Sequence, residues 1–196
     1  LGANGLAVSA FIVTNTSAAA ALLSWIFIEW LHHGKPTLLG AATGCVVGLV
    51  AITPAAGFVS PLSAIIIGLL VSPISYFAIS VLKPKFGYDD SLDVFGCHGI
   101  GGIFGALATG VFASTKVNPA GADGLLFGNP GLLGIQAISV VATIAFSGIL
   151  TFIILKAISL FVKLRVSESY EDEGLDVTQH GEDAYPDFAA EEGIAL

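Results

Sequence analysis

From Leu132 to Leu164 the chain runs for about 33 residues in which Lys156 and Lys163 are the only charged side chains. As a helix that stretch is roughly 50 Å long, more than the hydrocarbon core of about 30 Å in a bilayer. Four more apolar segments precede it, at about 6–31, 38–52, 61–82 and 92–112. Backbone polar groups in hydrocarbon must be satisfied internally, and continuous apolar segments of this kind do so as helices. The pattern predicts an all-α polytopic membrane protein, a helical bundle with five spans over residues 1–165 and a polar tail over 166–196. The second segment is short against the roughly 20 residues a span needs, and the last should tilt or project beyond the bilayer.

Composition supports the same class. The chain is 55% hydrophobic and 11% charged, and 24 of its 196 residues are glycine. Cys45 and Cys97 both lie in apolar stretches and read as small packing residues, not as a disulfide framework. The net charge of -8 is unevenly spread. Residues 1–165 hold all seven Lys and Arg with five acids (+2), and residues 166–196 hold ten acids and no base (-10). A basic footprint for nucleic acid is absent. The chain contains no methionine and opens at Leu1 inside apolar sequence, so it is expected to be part of a longer polypeptide.

The joints between segments orient them. With alternating crossings, Lys35, Lys83, Lys85, Lys163 and Arg165 fall on one side and Lys116 on the other. The positive-inside rule makes the first side cytoplasmic, and the acidic tail with it. Gly40, Gly44 and Gly48 repeat at every fourth residue, a stripe that lets helix backbones approach closely. Gly101 and Gly105 repeat the spacing beside Gly99 and Gly102, where packing and pore lining are both open readings.

The fourth segment carries the chemistry. In DDSLDVFGCHGIGGIFGALATG (residues 89–110), His98 lies eight residues past Asp90, roughly 12 Å into the membrane if Asp90 marks its surface. An ionisable residue at that depth is a functional candidate by default. It could link two helices, ligate a metal, or line a dry, narrow pathway for a polar species, which is the favoured reading. One histidine without further ligands is poor support for a metal, so no metal or cofactor is expected. Catalysis would need a nucleophile or second acid nearby, and none is evident on that helix, so no enzyme is expected. Desolvation favours the uncharged imidazole, with one donor and one acceptor nitrogen.

Asp89, Asp90 and Asp93 open the same segment. Asp90-Ser91-Leu92-Asp93 has the spacing of a capping box, and acids suit a helix N-terminus; a gate or tail contact is the other reading. Glu29 beside Trp30 reads as an interfacial anchor, Thr14, Asn15, Thr16 and Ser17 as cross-helix hydrogen-bonding groups, and His32 and His33 as solvated loop residues.

These stretches resemble one family. DDSLDVFGCHGIGG is similar to the tenth-helix signature of ammonium transporters, and GLDVTQHGEDAY (residues 174–185) resembles their cytoplasmic C-terminal signature. SWIFIEWLHHGKPTLLGAATGCVVGLVAITPAAGFVSP (residues 24–61) is similar to their seventh and eighth helices. The resemblance implies helices seven to eleven of an eleven-helix fold with a five-plus-five inverted repeat, assembled as a homotrimer with one pore per subunit. It implies that His98 is the second of two pore histidines and that Val94 is an apolar pore-lining residue. The first pore histidine, an external Phe gate and external Trp and Ser recruitment groups would lie on helices preceding Leu1. The resemblance also implies a tail motif (Asp176, His180, Gly181, Tyr185) packed on cytoplasmic loops, and a PII-type signalling protein as partner at that face. Residues 186–196 match nothing of use and are expected to be a polar end. The function implied is ammonium recruitment, deprotonation and ammonia conduction; an ammonium sensor signalling through the tail is the alternative.

Overall fold

A computed structural model describes residues 2–184. All regular structure among the described residues is helical. Helices α1 (Gly5–His33), α2 (Leu38–Ile52) and α3 (Pro61–Phe77) come first. A π-helical turn, Ala78–Leu82, joins α3 to the short α4 (Lys83–Phe86). A second π turn, Phe95–Ile100, leads into α5 (Gly101–Phe112). Helix α6 (Pro130–Ser159) and the short α7 (Glu168–Glu173) follow, and a π turn, Asp176–His180, comes last among the described residues. Gly5–His33, Pro61–Phe86, Phe95–Phe112 and Pro130–Ser159 are long and apolar enough to cross a membrane, and Leu38–Ile52 is the short apolar helix that the sequence led us to expect.

The chain divides into two compact units, 1–143 and 144–196. In the first, α1 packs against both α2 and α3 around Val13, Ala21, Trp25, Val47, Ile67 and Val71. The glycine stripe makes that approach possible. A Cβ on Gly44 would lie 2.5 Å from the Trp25 Cβ, and one on Gly48 would lie 2.6 Å from the Ala21 Cβ. Between apolar helices in lipid, this close van der Waals fit is the main attraction, because hydrocarbon neighbours are no wetter than lipid.

Serine hydroxyls add polar links across the seam. Ser17 donates to the Gly48 carbonyl at 3.0 Å and Ser72 to the Ala21 carbonyl at 2.7 Å. Ser24 donates to the Leu69 carbonyl at 3.0 Å. That last bond has a specific cause: Pro73 lies inside α3 and has no N–H to offer the carbonyl four residues back, which is Leu69. The hydroxyl of another helix supplies what the proline removed.

Several local expectations are corrected. Thr14, Asn15 and Thr16 do not bond across helices; each donates to a carbonyl four residues earlier in α1, and Ser17 alone of the four crosses. His32 and His33 are not in a loop. They end α1, whose chain reversal is taken by Gly34 at φ 74, and the His32 Nδ1 lies 2.7 Å from the Tyr76 hydroxyl. Glu29 ties the next helix down: its carboxylate accepts from the Thr37 backbone N–H (2.8 Å) and hydroxyl (3.0 Å), and Thr37 in turn caps α2 through the Gly40 N–H. Trp30 beside it is exposed.

The long joint after α5 is folded. Ser114 N–H bonds the Phe58 carbonyl at 2.9 Å, and Asp123 accepts from the Thr115 N–H at 2.7 Å.

Candidate functional site

The helix that carries His98 buries one side and leaves the other uncovered. On the covered side, Gly96 packs on Ile79, Gly101 approaches Val50, and Gly105 packs on the backbone of Ala51. Gly96, Cys97, Gly101 and Gly105 are buried. On the other side Val94 and His98 are exposed, and a Cβ on Gly102 would meet nothing within 4 Å. The two readings left open for these glycines thus divide by residue: Gly101 and Gly105 pack, whereas Gly102 borders open space. Among the described residues no side chain hydrogen-bonds the His98 ring, and no three His, Cys, Asp or Glu side chains gather as metal ligands do. The enclosed, narrow surroundings expected for His98 are not formed by the described residues, because nothing there covers this face.

Local backbone geometry sets that face. His98 lies within the π turn Phe95–Ile100. Such turns are rare and recur at functional sites. The turn starts from an acidic knot. Asp90 accepts from the backbone N–H groups of Val94 and Phe95, each at 2.8 Å, through its two carboxylate oxygens. Asp93 is not the third helical residue of a capping box. It precedes the helix at φ 56, the one non-glycine residue with positive φ among the described residues, and pairs with the Lys83 ammonium at 2.7 Å. Lys83 also donates to the Asp90 carbonyl at 2.5 Å. Asp89 is exposed in the joint just before. The capping-box spacing is present, but the ion pair to Lys83 takes Asp93 out of it.

The tail has its own order. Arg165 grips Glu171 with Nε and Nη2, both at 2.7 Å, and this guanidinium holds the Glu171 carboxyl below the usual carboxylate range. Asp176 and His180 bound a π turn, and Gly181 ends it at φ 66. The Asp176 carboxylate accepts from the Ala184 N–H at 3.1 Å, and that bond, with one from Val177, lowers its pKa. His180 is exposed. Tyr185, the fourth tail residue singled out from the sequence, and residues 186–196 lie outside the described residues.

The sequence matches the model of the Ammonium Transporter Family over residues 1–185. The chain belongs to the ammonium transporter family. It is 54% identical over 184 residues to the ammonium transporter of Bacillus subtilis (strain 168), a match covering 94% of this chain and 46% of that protein. With Amt1 of Archaeoglobus fulgidus it shares 48% identity over 185 residues, 94% of this chain and 46% of the relative. The crystal structure of Saccharomyces cerevisiae Mep2 superposes with a TM-score of 0.80 at 34% identity, over 86% of this chain and 39% of that one. A solved Sensor Amt Protein gives 0.80 at 26% identity, over 90% and 43%. The chain spans about half the length of the curated relatives it matches. Family membership and apolar helices together make it a multi-pass membrane protein.

Within this ammonium transporter family fold, sequence reasoning missed Lys83 as a partner of the His98 helix. The available signal was its position at the end of an apolar segment with three aspartates following within ten residues. The π turns had a weaker signal. Pro84 has no N–H for the carbonyl four residues back, Ser80, which lies within the turn Ala78–Leu82.

Proposed function

We propose that this chain forms the His98-bearing half of an ammonia-conducting pore. The observation that carries the proposal is the uncovered face of Val94, His98 and Gly102 in a member of the ammonium transporter family. A charged ammonium ion entering apolar surroundings unaccompanied faces a desolvation cost on the order of tens of kcal/mol in the idealised limit. Neutral ammonia does not. Ammonium is recruited outside, loses its proton before or within the constriction, and passes as ammonia. A neutral imidazole at His98 accepts from it or donates to it without placing a fixed charge in the path. Val94, about one turn away, keeps the passage apolar. Potassium has no proton to lose and is excluded by the same desolvation cost.

In this reading a second set of pore groups, including another histidine, faces His98 from sequence outside this chain, and three copies assemble with one pore each. The tail lies in the cytoplasm, and a PII-type signalling protein docks at that face. A sensor role is the second reading. The likeness to the Sensor Amt Protein favours it, and an ordered tail turn could report occupancy.

The test is methylammonium uptake by the polypeptide as encoded, with His98→Leu. Uptake should fall by about a hundredfold, the scale on which positioned polar groups act. Unchanged uptake and unchanged discrimination against potassium would remove His98 from the pathway.

A further inference from the structure

We propose that Lys83 and Asp93 are positioning residues for His98, acting as a clamp that holds the π turn Phe95–Ile100 in register; the inference rests on the pore reading above. Asp93 occupies the left-handed region at φ 56, uncommon for a non-glycine residue although Asp and Asn enter it more readily than others, and its neighbours hold it there. The holding groups are identifiable. Lys83 reaches from the end of the preceding apolar stretch to the Asp93 carboxylate at 2.7 Å and the Asp90 carbonyl at 2.5 Å. Asp93 then gives its carbonyl to the Cys97 N–H at 2.9 Å, while Asp90 closes the N–H groups of Val94 and Phe95. One ammonium group thereby ties together two aspartates, and these satisfy the amides of Val94, just before the turn that contains His98, and of Phe95 and Cys97 within it.

A clamp is needed because a π turn holds one residue more than the α turn it replaces. Relaxing to α geometry would rotate the segment before the turn by about 100° against the segment after it. Val94, His98 and Gly102, nearly in line across the π turn, would then spread over about 80° of the helix surface. The earlier π turn, Ala78–Leu82, sits directly before Lys83 and packs its Ile79 against Gly96. The two irregular turns support each other, and the lysine fixes their joint.

The experiment compares Lys83→Met, Lys83→Arg and Asp93→Asn in the polypeptide as encoded, in membranes, by amide hydrogen exchange and by methylammonium uptake. In Lys83→Met, exchange at Val94, Phe95 and Cys97 should rise by about tenfold or more, with α1 and α2 amides unmoved, since a lost local restraint opens locally. Maximal uptake should fall by about tenfold with KM unchanged, because His98 is misplaced in the pore and recruitment is untouched. Lys83→Arg should restore both. Asp93→Asn, which tolerates the left-handed backbone, should reproduce the exchange increase if Lys83→Met does not accumulate. Unchanged exchange at the three amides overturns the clamp, whatever uptake does. Raised exchange with full uptake overturns its link to His98, provided His98→Leu abolishes uptake. If His98→Leu leaves uptake intact, the pore reading fails, and exchange alone judges the clamp.

Discussion

The seam between α1, α2 and α3 and the π turn that carries His98 belong to the same compact unit, yet different forces hold them. The seam is made of small residues: Gly44 and Gly48 bring α2 onto Trp25 and Ala21, and Gly68 brings α3 onto the Ser17 carbonyl. Its hydrogen bonds are secondary, each worth about 0.6 kcal/mol between helices in a membrane. The π turn instead depends on charged groups at its mouth, where Lys83 and two aspartates hold a backbone that helical propensity would not choose. Dispersion needs contact along a whole face and gives a rigid frame. A charged clamp needs a few atoms in the right place and gives one local shape. The first kind of region supports the molecule; the second presents its candidate site.

The largest expected effect attacks the frame. Gly48→Leu would drive a side chain into Ala21 and the Ser17 carbonyl, and should cost about 3 kcal/mol or more. Thermal unfolding in detergent should show that loss. Gly102→Ala, which enters open space, should change stability by less than about 1 kcal/mol. If both substitutions were equally costly, the division of the glycines into packing and open positions would be wrong.

A smaller effect tests the polar links of the seam. Ser24→Ala should cost about 1 kcal/mol, because the Leu69 carbonyl opposite Pro73 loses its donor. In a Pro73→Ala background the restored N–H should reduce that cost toward zero, and a double-mutant cycle measures the difference. Additive losses would mean that the hydroxyl does not stand in for the missing amide.

The smallest effect lies in the tail. Backbone donors depress the Asp176 carboxyl below its ordinary 3.8, so its contribution to the turn is present in full above that value and is lost as pH falls through the lower folded pKa. The Ala184 amide should stay slow to exchange down to about pH 4 and speed up below it. Asp176→Asn should remove that acid transition; an unaltered transition would assign it to another group.

Much of the fold was legible because membranes leave few choices. Long apolar runs must be helices, and the four-residue glycine spacing marked Gly40, Gly44 and Gly48 as a packing stripe, though not that its partner is α1. His98 was legible as a candidate because a histidine is rare among such neighbours. Other residues were misread for a common reason: short polar side chains have both local and distant partners. Thr14, Asn15 and Thr16 turned back to their own helix, Ser17 crossed, and nothing in their types separates them. Asp93 matched a capping box by spacing, yet Lys83, ten residues earlier, claimed it.

The sequence by itself determined that this chain is a helical membrane protein of the ammonium transporter family, with one histidine set deep in its fourth apolar segment. Hydropathy, glycine spacing and motif order are properties of the chain read along its length, and they suffice for that. Which side of the His98 helix is buried, where its turn widens and which lysine holds it there were decided only in three dimensions. Those outcomes depend on carbonyls and amides left unpaired by prolines and irregular turns, and the groups that satisfy them come from whichever segment the fold brings within about 3 Å.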